Sequence, residues 1–293
     1  MKKTENCNRQ LRGLLERRES ILLPGAANAL AARVIEDIGF RAIYVTGAGV
    51  TNTFLGVPDI GLISLTELAS HVAAMRDAVS LPLIVDADTG FGNAINVART
   101  VQVLERSGAN AIQLEDQNFP KRCGHFAGKG VIDKAEMVQK IHAAVDARND
   151  TDLVIMARTD AIAANSFEDA MERAAAYVEA GADMTFVEAP RTREQMEQIP
   201  LRLRVPQVIN IVSGGLTPMI GMGELEKMGF SMILYANAAL QASIAGMQNV
   251  LGHLEANGSL EGVSAHLSGF EERQRIVSKP HFDDLERKYS LPG

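Results

Sequence analysis

The residues Leu83-Ile84-Val85-Asp86-Ala87-Asp88-Thr89-Gly90-Phe91-Gly92 form an apolar run that ends in two acids and a glycine turn. Such a run reads as a buried strand that delivers carboxylates to its C-terminal end. Two aspartates two positions apart on an extended chain point the same way, and no lysine or arginine within the stretch neutralises them. A hard divalent cation would do so. Asp86 and Asp88 could also cap the following helix, so the other strand ends decide between the two readings.

A second chemical stretch runs from Asp116 to Gly130. In it Cys123 is flanked by Lys121, Arg122 and His125, all able to stabilise a thiolate and make the thiol a ready proton donor or nucleophile. Loops of this length are more often functional than idle. A lone Cys-x-His lacks the remaining ligands of a zinc site.

Elements that alternate in type must position these groups. Apolar runs at Ile21–Gly25, Ala42–Gly47, Leu83–Asp86, Ala111–Asp116, Leu153–Arg158, Met184–Glu188, Gln207–Ile211 and Met232–Tyr235 are separated by helical patterns. Eight such runs predict an α/β fold, a (β/α)8 barrel, with the chemistry at the C-terminal strand ends. Tyr44, Thr46, Asp86, Asp88, Glu115, Arg158, Glu188 and Asn210 each stand at or just past such an end. Helix caps prefer Ser, Thr, Asp and Asn, so capping does not account for Arg158 or Glu188.

The division expected is one barrel domain over 1–293, with an N-terminal helix in 1–20 and a helical extension in 238–293. A helix from Leu267 to Ser278 is expected to stop at Pro280. The extension either caps its own barrel or packs on a neighbouring subunit.

Composition narrows the partners. The chain has 293 residues, 46% of them hydrophobic and 22% charged, with a net charge of -7. An acidic surface argues against nucleic acid or an anionic membrane as partner. No apolar run reaches the length that spans a bilayer, and two cysteines are too few for a disulfide framework, so a cytoplasmic location is expected. The partner expected is a small molecule. Gly47-Ala48-Gly49 could open a nucleotide fingerprint, but the third glycine is missing. A non-catalytic binding barrel is the remaining class.

Three segments together resemble the lyase branch of the isocitrate lyase and phosphoenolpyruvate mutase superfamily. They are Lys121-Arg122-Cys123-Gly124-His125, Asp86-Ala87-Asp88-Thr89-Gly90-Phe91-Gly92 and Tyr44-Val45-Thr46-Gly47-Ala48-Gly49. The resemblance implies Mg²⁺, or Mn²⁺ in its place, held directly by Asp86 and mainly through water by Asp59, Asp88 and Glu115. It implies a 2-hydroxy di- or tricarboxylate substrate bound by Thr46, Gly47, Ala48, Gly124, His125, Arg158, Glu188 and Asn210. Cys123 would protonate the product carbanion equivalent, and Tyr44 is the candidate base. The phosphonate-forming mutases lack this cysteine, so the expected reaction is carbon–carbon cleavage. Phe186, where isocitrate lyases carry tryptophan, leaves room for a C2 methyl and implies pyruvate as product. Ser213 and Gln241 stand where methylisocitrate lyases have an acid and an arginine, which favours a dicarboxylate such as 2,3-dimethylmalate over 2-methylisocitrate, with oxaloacetate as a further alternative. A homotetramer is also implied.

Overall fold

In the computed structural model the described residues are 2–17, 19–121, 130–212 and 214–290. Eight parallel strands close into a barrel in sequence order: β1 Ile21–Ala26, β2 Ile43–Val45, β3 Leu83–Asp86, β4 Ala111–Glu115, β5 Val154–Thr159, β6 Met184–Val187, β7 Gln207–Asn210 and β8 Met232–Tyr235. All eight expected strands are present.

Side chains alternate across each strand with period two. One set, including Leu23, Tyr44, Ile84, Met156, Phe186 and Leu234, fills the barrel interior. The other set packs outward: Val45, Val85 and Ile112 meet one arc of helices, and Val187, Ile209 and Ile233 meet the other. Near the C-terminal ends the inward series turns polar. Asp86 follows Ile84, Gln113 and Glu115 follow Ala111, Arg158 follows Met156, and Asn210 follows Val208.

The register sets these groups side by side, pairing Asp86 with Gln113, Glu115 with Arg158, and Arg158 with Phe186. The seam between β1 and β8 is tight. A Cβ on Gly25 would stand 1.9 Å from the Ala236 carbonyl oxygen, so only glycine fits there.

Helix ends follow their sequence signals. Asn28 caps Ala29–Ile38 by accepting from Ala31 N, and Gly39 ends it at φ 100°. Ser64 and Glu67 form a capping box on Leu65–Ala78.

Gly47–Leu55, for which the sequence reading gave no element, is a helix that starts directly after β2, with the Thr46 hydroxyl accepting from Gly49 N. One expectation needs correction. Pro280 starts a helix, Lys279–Tyr289, rather than only stopping the one before it, Phe270–Ile276. Proline lacks an N–H that the first helical turn does not need.

The helix Lys2–Glu16 closes the N-terminal end of the barrel. Leu11, Leu14 and Leu15 join the interior cluster. Arg12 donates to Asp183 Oδ1 at 2.8 Å and to the carbonyls of Thr151, Asp152 and Leu153. Arg12→Ala removes a charge-assisted bond to Asp183 and the donor to the Thr151 and Asp152 carbonyls, while Leu153 O and Asp183 keep Arg148, so a loss of about 2 kcal/mol is expected. Urea unfolding measures it, and a change under about 0.5 kcal/mol would contradict the closure role.

At the other end of the chain, Ala238–Asn257 has only Val250 buried among its described side chains. Ile244, Met247 and Leu251 are exposed along it, as are Phe270 and Phe282 beyond it. Arg275 ties this extension back to the first helix of the barrel through a bidentate pair with Asp37. No helix among the described residues is long and apolar enough to cross a membrane.

Candidate active site

A narrow cavity of about 40 Å³ opens at the C-terminal strand ends. Tyr44, Thr46, Ala48, Asp59, Asp86, Glu115, Arg158, Phe186, Glu188 and Asn210 line it, together with Lys121, Leu234, Ala236 and Asn237. The first ten are residues singled out from the sequence. Cys123, Gly124, His125 and Ser213 lie outside the described residues.

Asp86 reaches the cavity from the last position of β3. Its Oδ1 accepts from Gln113 Nε2 at 3.0 Å and from Asp88 N at 3.2 Å. Asp88 arrives differently from the expectation of two acids on an extended strand. It lies beyond the strand in the left-handed region, at φ 49°, a conformation that costs an L-residue energy and that clusters at functional sites. Gly47 does not line the cavity but lies beneath this acid pair: a Cβ there would stand 3.1 Å from Asp86 Oδ2 and 3.2 Å from Asp88 Oδ1. The protein's own carboxylates thus face the start of Gly47–Leu55, where a dinucleotide reading would need the pyrophosphate.

The buried Lys121 ammonium sits 2.6 Å from Asp59 Oδ1 and 2.8 Å from Asp88 Oδ1, two partners that the sequence reading did not give it. Burial alone would lower its pKa, but Asp88, Glu115, Asp86 and Asp59 hold it well above the usual lysine value. Burial lifts the Asp88 carboxyl to about 7 against the pull of Lys121, with Asp86 and Asp59 adding to the rise.

Arg158 is the second buried cation. Asp160, missed in the sequence, clamps it with bonds of 2.9 and 3.1 Å. Glu115 Oε2 lies 3.3 Å from its Nε and Glu188 Oε2 4.0 Å from its Nη2. The guanidinium lies over the Phe186 ring, 5.1 Å from its centroid, an attractive cation–π arrangement. Behind it, Asp116 accepts from Thr159 Oγ1, Asp160 N and Tyr177 Oη, which ties the ends of β4 and β5 together. The spacing of Arg158 and Asp160, two apart at a strand end, was the signal that could have revealed the clamp.

Tyr44, the candidate base, lines the cavity. Burial, then Asp86, pushes its pKa well above the ordinary value, and its hydroxyl donates to Gln113 Oε1 at 2.9 Å. Gln241 is exposed, one turn along the helix from Asn237, and is not among the lining residues. The argument for a dicarboxylate from that position therefore finds no support in this chain's own cavity.

Among the described residues around the site, six carboxylates, Asp59, Asp86, Asp88, Glu115, Asp160 and Glu188, accompany two cations, Lys121 and Arg158. Glu115 Oε1 is buried without a hydrogen-bond partner. Excess buried negative charge and an all-oxygen donor set fit a hard divalent cation. Among the described residues no three His, Cys, Asp or Glu side chains converge into a direct metal cage. That accords with Mg²⁺, which keeps most of its waters and takes one or two carboxylates.

Fold and site define an α/β-barrel enzyme with an acid-rich pocket at the strand C-termini. Residues 11–255 match the family described as Phosphoenolpyruvate phosphomutase. The chain belongs to the phosphoenolpyruvate mutase/isocitrate lyase superfamily.

It is 40% identical to 2,3-dimethylmalate lyase of Eubacterium barkeri over 285 residues, 97% of this chain and 99% of the relative. It is 44% identical over 253 residues to 2-methylisocitrate lyase of Aeropyrum pernix, covering 86% and 81%. Among solved structures, phosphonopyruvate hydrolase in complex with oxalate and Mg²⁺ superposes with a TM-score of 0.86 at 30% identity, covering 96% of this chain and 98% of that one.

Proposed function

We propose that this protein is a Mg²⁺-dependent carbon–carbon lyase that cleaves a 2-alkylmalate such as 2,3-dimethylmalate to pyruvate and a carboxylate. The observation that carries this reading is the pairing of an acid cluster around Asp86 with an Arg158 guanidinium seated on Phe186, inside a pocket that the apolar Leu234 and Ala236 also line. End-to-end similarity to 2,3-dimethylmalate lyase supports the same substrate class.

Asp86 would hold the metal directly, and Asp59, Asp88 and Glu115 through water. Bound there, Mg²⁺ supplies Lewis acidity and counter-charge for an anionic 2-hydroxy acid. Arg158 pairs with a substrate carboxylate, its direction fixed by Asp160. Phe186 leaves space beside C2 for a methyl group, while Thr46 and Ala48 at the start of Gly47–Leu55 and Asn210 on β7 hold the polar ends of the acid. Glu188, beside Arg158, lines the pocket, and Gly124 and His125 would join in binding the leaving carboxylate. As a carboxylate of the acid cluster takes the 2-hydroxyl proton, the C2–C3 bond breaks to leave a carbonyl at C2 and a carbanion equivalent at C3, which Cys123 would protonate.

The exposed apolar residues of 238–290 support assembly with further copies of this chain, a homo-oligomer and in the fullest form a tetramer. A cytoplasmic setting accords with the acidic charge and small-molecule chemistry.

Comparing kcat/KM for 2,3-dimethylmalate, 2-methylisocitrate and oxaloacetate with Mg²⁺ present tests the substrate. A preference of at least about tenfold for the alkylmalate is expected, the size of effect that one misfitted group produces. Preference for 2-methylisocitrate, the substrate named for the Aeropyrum relative, would replace this reading.

A further inference from the structure

We propose that Gln113 is a positioning residue that fixes which oxygen of Asp86 meets the cation and commits the Tyr44 proton away from substrate. The inference rests on the metal-dependent lyase reading above.

Gln113 is fully buried on the inward face of β4. It receives the Tyr44 hydroxyl on Oε1 at 2.9 Å and donates from Nε2 to Asp86 Oδ1 at 3.0 Å. The polarity of this chain is dictated by chemistry. An ionised carboxylate only accepts, so the amide must turn its NH₂ toward Asp86; reversing it would set two acceptors against each other. The amide oxygen that remains also only accepts, so the single phenolic proton of Tyr44 must point at Gln113.

Two consequences follow. Asp86 Oδ1 is occupied by the Gln113 amide and by Asp88 N, so Oδ2, on the Gly47 side, is the oxygen left to meet a cation. Tyr44, whose ring lines the cavity, offers only a lone pair there. It accepts a hydrogen bond from the substrate 2-hydroxyl and so orients it. It passes no proton onward, because an amide oxygen is too weak a base to take one.

The test uses the full-length protein with Gln113→Met, Gln113→His and Tyr44→Phe, and Mn²⁺ titration by electron paramagnetic resonance as the readout independent of turnover. Gln113→Met keeps the volume and loses both bonds, whereas a neutral imidazole again has one acceptor and one donor nitrogen. Mn²⁺ binding to Gln113→Met is expected to weaken about tenfold, the scale on which partners of metal ligands act. Gln113→His should return to within about threefold of wild type. Tyr44→Phe should keep its Mn²⁺ affinity and raise KM for the 2-hydroxy acid.

Wild-type affinity in Gln113→Met would overturn the proposal, and so would a Gln113→His variant as impaired as Gln113→Met. A wild type that fails to bind Mn²⁺ overturns the metal reading and this inference together. A wild type that binds Mn²⁺ but cleaves none of the three acids overturns only the substrate reading, and the Mn²⁺ affinities still decide the role of Gln113.

Discussion

Asp86→Ala is expected to abolish turnover, with kcat/KM down by about a thousandfold or more, while the barrel stays folded. The magnitude follows from losing several kcal/mol of charge stabilisation at the reacting centre, each ~1.4 kcal/mol being tenfold in rate. The fold should survive because Asp86 contributes little that the barrel needs. It accepts one side-chain amide and one backbone N–H, and it sits in a crowd of acids whose mutual repulsion its removal relieves. Steady-state kinetics with a titration of Mg²⁺, beside a thermal melt, measures both halves. Unchanged activity in the presence of a chelator would remove the metal from the mechanism and Asp86 with it.

Cys123→Ser is expected to lower kcat by about 10²–10⁴, the range attributed to general acid catalysis, with substrate binding retained. The choice of acid over nucleophile rests on the product, a carbanion equivalent that needs a proton. Rapid-quench kinetics and isothermal titration with a slow substrate separate the chemical step from binding. Trapping a covalent adduct on Cys123 during turnover would refute the acid role.

Much of this site was legible because the inward period of two runs straight from the apolar core into the polar strand ends. Asp86, Glu115, Arg158 and Asn210 continue the same alternation that buries Ile84, Met156 and Val208. The same rule points to Gln113, which was passed over because an amide inside an apolar run carries no charge to draw attention.

Other features depend on contacts that no local pattern encodes. Gly47–Leu55 contains two glycines and three β-branched residues, poor helix formers, and its helix starts on the Thr46 cap and is buried against the barrel. Lys121 lies beside Cys123 in sequence, yet its partners come from 59 and 88, which only the closed barrel brings near. The burial of Tyr44 and its bond to Gln113 are likewise tertiary facts.

The seam at Gly25 reaches further than barrel closure. Ala236, whose carbonyl leaves no space for a methyl on Gly25, lines the cavity, as does Asn237 beside it. A real Cβ needs at least about 3 Å, so any side chain at 25 must push the end of β8 outward and carry both wall residues with it. The bore of the pocket is therefore gauged by a residue on β1 that is not among those lining it. A search for altered substrate range confined to the lining side chains would overlook the position that sets the width.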